Sequence, residues 1–240
     1  MIFKQLFDAD TSTLTYILAD AVTREAVIID PVRGQTKRDL AVLKELGATL
    51  KFIVETHVHA DHITGAPELK AATNAQFSAG KATGLVCGDV MLDEGDTLTF
   101  GGEVLYSFAT PGHTDGCTSY RWHDRIFTGD TILIGACGRT DFQQGSSEVL
   151  FDSIQKIMAY PDEFIIYPGH DYNDHRVSSV GQEKLTNPYI KGLDKAAFVE
   201  KMSNLKLPMP AKIGVAVPAN VHCGDAEAAG IDTSKIAHST

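Results

Sequence analysis

Residues 56–62, with the sequence THVHADH, place three histidines and one aspartate within seven positions, one residue after the apolar run 52–54. Imidazole nitrogens and carboxylate oxygens are the groups that hold borderline transition metals in proteins. Four of them at the end of a buried strand would be costly to desolvate unless they shared an ion or a hydrogen-bond network. A lone histidine in a strand is usually structural, but this density predicts a metal site.

The size and charge of the chain limit its partners. A length of 240 residues fits one domain, or one domain with a small appendage. The 31 acidic and 21 basic residues give a formal net charge of −10, without any run of Lys or Arg. This surface argues against a nucleic-acid partner, whose affinity depends on neutralising phosphates. No apolar stretch approaches the ~18 residues of a membrane span, and no secretory signal is visible at the N-terminus.

Four dispersed cysteines bear on the cellular compartment. Cys87, Cys117, Cys137 and Cys223 contain no Cys-x-x-Cys pair. Their spacing predicts free thiols in a reducing cytoplasm rather than a disulfide framework. At least three of them are expected to be small buried apolar residues.

Strands and helices alternate in two successive halves of the chain. Hairpins are predicted at 14–30 and 118–128, strands at 52–56, 96–109 and 163–167, and helices at 37–46, 66–72, 146–158 and 194–204. This order predicts two sheets packed face to face, with helices on the outside. From residue 187 onward, prolines at 188, 208, 210 and 218 interrupt the pattern. We therefore expect a catalytic domain at 1–186 and a C-terminal extension at 187–240 that packs on it.

Three further motifs place a potential metal ligand where a predicted strand ends. PGHTDG at 111–116 contains His113, GDT at 129–131 contains Asp130, and PGHD at 168–171 contains His170. Pro-Gly before a histidine rigidifies the turn and lets the backbone approach closely, which helps to aim the side chain. Each motif alone is moderate evidence, but together with the first cluster they indicate a metal centre.

The four motifs, in this order and spacing, resemble the metallo-β-lactamase superfamily. The resemblance spans about residues 10–175 and implies an α+β fold, the αββα sandwich, with the site at one edge. It implies two metal positions with Asp130 able to bridge them, formed by His57, His59 and His113 and by Asp61, His62 and His170. The ligand inventory alone therefore predicts a two-metal hydrolase.

Two glutathione-linked families share this ligand set. The chain resembles the glyoxalase II family, binuclear zinc hydroxyacylglutathione hydrolases that cleave S-lactoylglutathione. The chain also resembles the persulfide dioxygenase family, and this second resemblance implies one iron(II) held by His57, His113 and Asp130. Two histidines and one carboxylate leave positions open for dioxygen and a thiolate substrate together.

Residues outside the ligand set separate the two families. CGRTDFQQGS at 137–146 resembles the signature of persulfide dioxygenases, whereas glyoxalase II-like chains carry a Phe-Glu-Gly type sequence after the matching Gly-Arg. PGHDY at 168–172, PAN at 218–220 and CG at 223–224 also fit the dioxygenases, although 134–136 departs from the expected Arg-Gly. We therefore predict a glutathione persulfide dioxygenase with one Fe(2+) per chain, which converts glutathione persulfide and O2 to sulfite and glutathione.

This interpretation assigns roles to further residues. Arg139 is predicted to bind a substrate carboxylate or developing oxyanion, because a guanidinium offers a planar donor fork. Tyr172 is predicted to present a phenol near the iron. The alternatives are an ion pair of Arg139 with Asp141 and ordinary packing for Tyr172. A position near the site for Cys223 rests on the resemblance only. The remaining candidates are expected to orient the ligands and accept protons: His59, Asp61, His62 and His170.

Other classes of protein remain alternatives at this point. A glyoxalase II-like hydrolase would bind about two metals and consume no oxygen. A non-catalytic metal-binding module that kept the fold is disfavoured by the complete ligand set. The family resemblance implies a homodimer, and no fused rhodanese segment is visible in these 240 residues. Any rhodanese-type sulfurtransferase partner would therefore be a separate protein.

Overall fold

The computed structural model describes residues 1–231, and within them two six-stranded sheets carry the fold. The first sheet has its strands in chain order: β1 (Ile2–Asp8), β2 (Thr13–Ala19), β3 (Glu25–Ile29), β4 (Thr49–Val54), β5 (Gln76–Gly80) and β6 (Val90–Leu92). The second runs in the order β12-β11-β10-β9-β8-β7: β7 (Thr97–Phe100), β8 (Glu103–Ala109), β9 (Thr118–Trp122), β10 (Arg125–Gly129), β11 (Ile165–Pro168) and β12 (Ser178–Ser179). The helices are α1 (Thr36–Glu45), α2 (Ala66–Thr73), α3 (Ser147–Met158), α4 (Val180–Thr186), α5 (Lys195–Ser203) and α6 (Ile213–Val221).

The alternation of side chains along β2 shows how the layers are held together. Tyr16 points into the apolar layer between the two sheets, where it meets Phe127 of β10. Its neighbour Ile17 points the other way and packs in one cluster with Leu43 of α1 and Leu69 of α2. A sheet that packs on a second sheet and is covered by helices is buried on both faces. Strand residues that point to either face are therefore apolar.

The second sheet is covered in the same way. Apolar residues of α3, spaced as on one helix face, pack with β10 and β11 in a further cluster that includes Leu150, Ile154, Ile126 and Ile166. Ser146 begins this helix, and its side chain accepts a hydrogen bond from the Val149 amide. The resulting order of layers, helix, sheet, sheet and helix, confirms the predicted αββα sandwich.

The predicted helices and hairpins are present, but several elements were not predicted. The strands β5 and β6 and the helices α4 and α6 are short and carry weak periodicity. The interpretation of the late prolines as breaks is wrong at Pro218, which lies inside α6. A proline costs a helix one backbone hydrogen bond, and here Ala216 and Ala219 on the same helix pack against Ile63.

The parallel pairs in each sheet determine where the functional residues meet. β3 and β4 are parallel neighbours, and so are β10 and β11. Their carboxyl ends therefore lie at one edge of the sandwich, where Asp30, Glu55 and Asp130 directly follow β3, β4 and β10, and His170 lies two residues after β11. Backbone bonds across the layers join the two sheets there, since the Thr118 amide donates to the Thr56 carbonyl and the Leu14 amide to the Gly169 carbonyl.

The prediction of four free thiols is wrong for one pair. Cys87, in the loop before β6, and Cys223, just after α6, form a disulfide with their Cα atoms 6.0 Å apart. Cys117 and Cys137 are buried and free. The two bonded cysteines are 136 residues apart in sequence. They meet only because α6 packs back against the first sheet, which spacing alone does not reveal.

The C-terminal segment contributes α5 and α6, and residues 232–240 lie outside the described part of the chain. α5 packs through Phe198 and Met202 into the cluster that covers the second sheet. Within residues 1–231, no helix combines the length and the apolar character needed to cross a bilayer.

Candidate metal centre

Three residues from different loops bring ligand atoms to one point. His57 follows β4, His113 lies between β8 and β9, and Asp130 follows β10. Asp130 Oδ2 lies 3.9 Å from His57 Nε2 and 3.7 Å from His113 Nε2. Ligand atoms about 2.1 Å from one ion lie about 3 to 4 Å apart, so this spacing fits a single metal. All three residues are buried.

Hydrogen bonds set which nitrogen of each histidine faces that point. His113 Nδ1 lies 2.7 Å from the Arg139 carbonyl, which only accepts, so Nδ1 carries the proton. His57 Nδ1 lies 2.9 Å from Thr56 Oγ1, whose own hydroxyl donates to Asp30 Oδ2. Both Nε2 atoms are therefore unprotonated in the neutral rings. Burial, followed by the nearby His59, holds the pKa of His57 well below its usual value, so the ring stays neutral as a ligand must.

The other oxygen of Asp130 begins a chain of charged groups. Asp130 Oδ1 accepts from His170 Nδ1 at 2.6 Å, and His170 Nε2 lies 3.1 Å from Asp61 Oδ2. Burial opposes charge on His170, but the carboxylates of Asp130 and Asp61 raise the pKa of His170 well above its usual value. Burial alone would raise the pKa of Asp130, but the charged His170 lowers it below its usual value. The imidazolium therefore joins the two carboxylates.

The residues of a second candidate position also come together. His59, Asp61, His62 and His170 have ligand atoms within 4.8 Å of one another. Within residues 1–231, His62 Nε2 and His59 Nδ1 are buried without a hydrogen-bond partner. The donors thus suit a metal, but His170 and Asp61 already bond to each other.

The segment 57–64, here called the metal loop, is held by acidic residues that the sequence interpretation missed. Asp30, directly after β3, accepts from the Thr56 amide at 2.7 Å and from the Thr56 hydroxyl at 2.8 Å. Glu55 Oε2 lies 3.2 Å from His59 Nε2, and Asp30 Oδ1 lies 3.3 Å from the same nitrogen. Asp30 follows its strand as Asp130 follows β10, and that parallel could have identified it.

The 137–146 segment contacts the centre through its backbone and one amide. The Arg139 carbonyl orients His113, and Gln143 Nε2 donates to the Val58 carbonyl of the metal loop at 2.9 Å. The guanidinium of Arg139 bonds both oxygens of Asp141 at 2.6 Å and the Pro208 carbonyl at 2.6 Å. The structure therefore shows the ion pair that was the alternative for Arg139, and substrate binding by this residue stays a prediction.

Tyr172 has a side-chain group that a ligand can reach, whereas the thiol of Cys223 is already bonded. The Tyr172 ring lies parallel to His170, with centroids 5.8 Å apart, and 64% of the residue is exposed. Its phenol is thus free to meet a ligand that enters beside His170. Cys223 is bonded to Cys87 and offers no free thiol.

The family is defined by this arrangement and by comparison with known proteins. The model of the metallo-beta-lactamase superfamily matches residues 9–84 and 87–170. The match agrees with the αββα sandwich and with the candidate metal centre at its edge. The chain belongs to the metallo-β-lactamase superfamily and is an enzyme of its persulfide dioxygenase branch.

Individual relatives support that branch. The chain is 43% identical over 227 residues to the mitochondrial persulfide dioxygenase ETHE1 of Homo sapiens, covering 93% of this chain and 89% of the relative. The crystal structure of ETHE1 from Myxococcus xanthus superposes with a TM-score of 0.91 at 46% identity, covering 93% of this chain and all of that one. A metallo-beta-lactamase structure from Staphylococcus aureus gives a TM-score of 0.86 at 28% identity, over 92% of this chain and 71% of that one.

Proposed function

We propose that the protein is a glutathione persulfide dioxygenase that uses one iron(II) per chain. Glutathione persulfide, dioxygen and water would give glutathione, sulfite and two protons, so that the outer sulfur loses four electrons and dioxygen accepts them. The observation that carries the proposal is the convergence of His57, His113 and Asp130 on one point, in a chain 43% identical to a human persulfide dioxygenase.

The donor set suits the chemistry. Two neutral imidazoles and one carboxylate form the ligand set of non-heme iron(II) oxygenases, and a bound iron(II) would offer open positions to dioxygen and to a sulfur ligand. Asp130 would be held in orientation by His170, which bonds its other oxygen at 2.6 Å. A charged His170 also places a proton beside the centre.

Further roles of individual side chains belong to the same proposal. His59, Asp61 and His62, together with His170, would hold the ligand side chains in their orientation. Tyr172 would contact the substrate, since its ring stacks on His170 and is largely exposed. Arg139 would reach a substrate carboxylate only by releasing Asp141. Cys223 would lie near the site as half of a disulfide.

A binuclear zinc hydroxyacylglutathione hydrolase is the second candidate function. It is favoured by one observation: His59 Nδ1 and His62 Nε2 are buried and have no hydrogen-bond partner within the described residues. Against it stand the bond between His170 and Asp61 and the identity to persulfide dioxygenases.

An oxygen electrode distinguishes the two candidates. Protein purified without oxygen and loaded with iron(II) is mixed with glutathione persulfide, with glutathione and with S-lactoylglutathione in separate runs. We expect oxygen uptake with the persulfide alone, sulfite in equal amount to the oxygen consumed, and about one iron per chain by elemental analysis. Iron-loaded protein that takes up no oxygen would overturn the proposal, and thioester hydrolysis at about two zinc ions per chain would establish the hydrolase.

Location, assembly and domain division are proposals of the same kind. We propose a cytoplasmic homodimer in which residues 1–186 form the catalytic domain and 187–240 an extension packed on it. A rhodanese-type sulfurtransferase would act as a separate partner that supplies or uses the persulfide. The ETHE1 relatives of Mus musculus, Homo sapiens and Bos taurus carry the word mitochondrial in their names, so cell fractionation is the direct test of location, and light scattering is the test of assembly.

A further inference from the structure

One side chain from the C-terminal segment lies in the middle of the metal loop. Asn220, near the end of α6, is only 4% exposed. Its helix packs on the loop through Ala216 and Ala219, which contact Ile63. A buried amide must find hydrogen-bond partners or cost free energy, and Asn220 finds all of them in one short stretch of backbone.

Three bonds join Asn220 to that stretch. Nδ2 donates to the His59 carbonyl at 2.9 Å and to the His62 carbonyl at 2.8 Å, and Oδ1 accepts from the Thr64 amide at 2.9 Å. Both protons of the amide and its oxygen are thus used on backbone groups of the metal loop. These bonds fix the backbone on both sides of Asp61.

We infer that Asn220 is a positioning residue for the metal centre, acting through Asp61 and His170 on Asp130. The path consists of direct contacts: Asn220 holds the loop at His59 and His62, and Asp61 between them lies 3.1 Å from His170 Nε2. His170 in turn donates to Asp130 at 2.6 Å. Loss of the amide frees the loop, moves Asp61 away from His170 and releases the ligand carboxylate from its fixed orientation.

The end of α6 is itself tied down, which makes the amide a fixed point. The disulfide Cys87–Cys223 follows three residues after Asn220, and the Val86 amide donates to the Val221 carbonyl at 3.3 Å. Arg33 Nη2 donates to the Gly224 carbonyl at 2.6 Å. Because the backbone around Asn220 is anchored to loops that join strands of the first sheet, its side chain loses little conformational entropy when it holds the metal loop.

Cobalt(II) titration of the metal-free protein tests the inference, with the visible absorption spectrum and the melting temperature as readouts. Two variants are compared. Asn220→Ala removes all three bonds, and Asn220→Asp keeps the acceptor for Thr64 while replacing the donor with an oxygen that faces two carbonyls. Outer partners of metal ligands typically contribute about 10- to 100-fold in metal affinity or activity. We expect both variants to bind cobalt about 10- to 100-fold more weakly, with an altered spectrum.

Asn187→Ala is the matched control. Asn187 is also fully buried, and its amide bonds the Ala136 carbonyl at 2.9 Å, Glu183 at 2.7 Å and the Tyr189 amide at 2.9 Å, without contacting the metal loop. This variant should lower the melting temperature as Asn220→Ala does, yet leave cobalt affinity and spectrum unchanged. Such a split separates positioning from general stability.

Clear outcomes overturn the inference. Wild-type cobalt affinity and spectrum in folded Asn220→Asp would do so, as would equal weakening by Asn187→Ala and Asn220→Ala. If Asn220→Ala does not fold, the near-isosteric Asn220→Asp decides alone. The inference rests on the metal centre of the proposed function and not on its substrate. Loss of cobalt binding in a protein whose wild type takes up no oxygen would therefore retain the inference and reject the dioxygenase.

Discussion

Gly138 offers a direct test of how closely the ligands are packed. Its amide donates to the Asp130 carbonyl at 2.7 Å. A Cβ atom at this position would lie 2.3 Å from that carbonyl oxygen and 2.8 Å from Cγ and Nδ1 of the His113 ring. Favourable contacts between heavy atoms lie at about 3.5–4.0 Å, so one or both ligand residues must move by roughly 1 Å. A misplacement of that size can cost about 100-fold in rate.

We therefore expect Gly138→Ala to lower persulfide-dependent oxygen uptake about 100-fold and to weaken metal binding. The effect is steric, because the backbone of Gly138 is not in the left-handed region and other residues can adopt it. The measurements are the oxygen electrode, a metal titration and a thermal melt on the same preparation.

Two control variants test whether the effect is specific to Gly138. Gly214→Ala, in α6, adds a methyl group with no atom within 4 Å and should leave activity unchanged. Gly181→Ala, in α4, would place its Cβ 2.9 Å from the Asp162 Cβ and should lower the melting temperature without loss of metal. The reasoning is refuted if folded Gly138→Ala keeps wild-type metal affinity and oxygen uptake, or if Gly181→Ala loses metal to the same degree.

Three further predictions follow from single residues. His57→Ala should abolish metal binding and His59→Ala should retain most of it, by elemental analysis; equal loss from both would indicate the binuclear site. Burial raises the pKa of Asp39 to about 6, although the positive charge of Arg38 acts to lower it. Since this folded-state pKa exceeds the unfolded value of about 4, stability is lost as pH rises between the two. Asp39→Asn should therefore raise the free energy of unfolding by about 3 kcal/mol above pH 6 and leave it unchanged below pH 4, and a gain independent of pH would contradict this. Cys87→Ser opens a link that spans 136 residues, so the variant should lose about 2–5 kcal/mol of stability; dithiothreitol should lower the melting temperature of the wild type but not of the variant.

Most of the candidate metal centre could be predicted from the sequence because its candidate ligands come shortly after strands. Residues that closely follow a buried strand lie near the sheet edge, so the sequence assigns His57, Asp130 and His170 to one edge. His113 was found through its Pro-Gly turn. The same logic applied to Asp30 would have found the residue that fixes Thr56.

The supporting contacts could not be predicted because they depend on how distant segments pack. Asn220 reaches the metal loop across more than 150 positions of sequence, and only the packing of α6 brings them together. The disulfide of Cys87 has the same origin. Arg139 was assigned from its chemical type, whereas the structure shows its guanidinium bound to Asp141 and its carbonyl bound to His113.

The division of ligands between the two sheets has a consequence during synthesis. The first sheet ends at Leu92 in β6, so His57 to His62 emerge from the ribosome before His113, Asp130 and His170 exist. At about 5–20 residues per second, the interval between His62 and His170 lasts about 5 to 20 s. During that time the nascent chain presents three histidines and an aspartate without the partners that define the final geometry. The full set of donors that would select a metal therefore exists only after the second half of the chain has been synthesised.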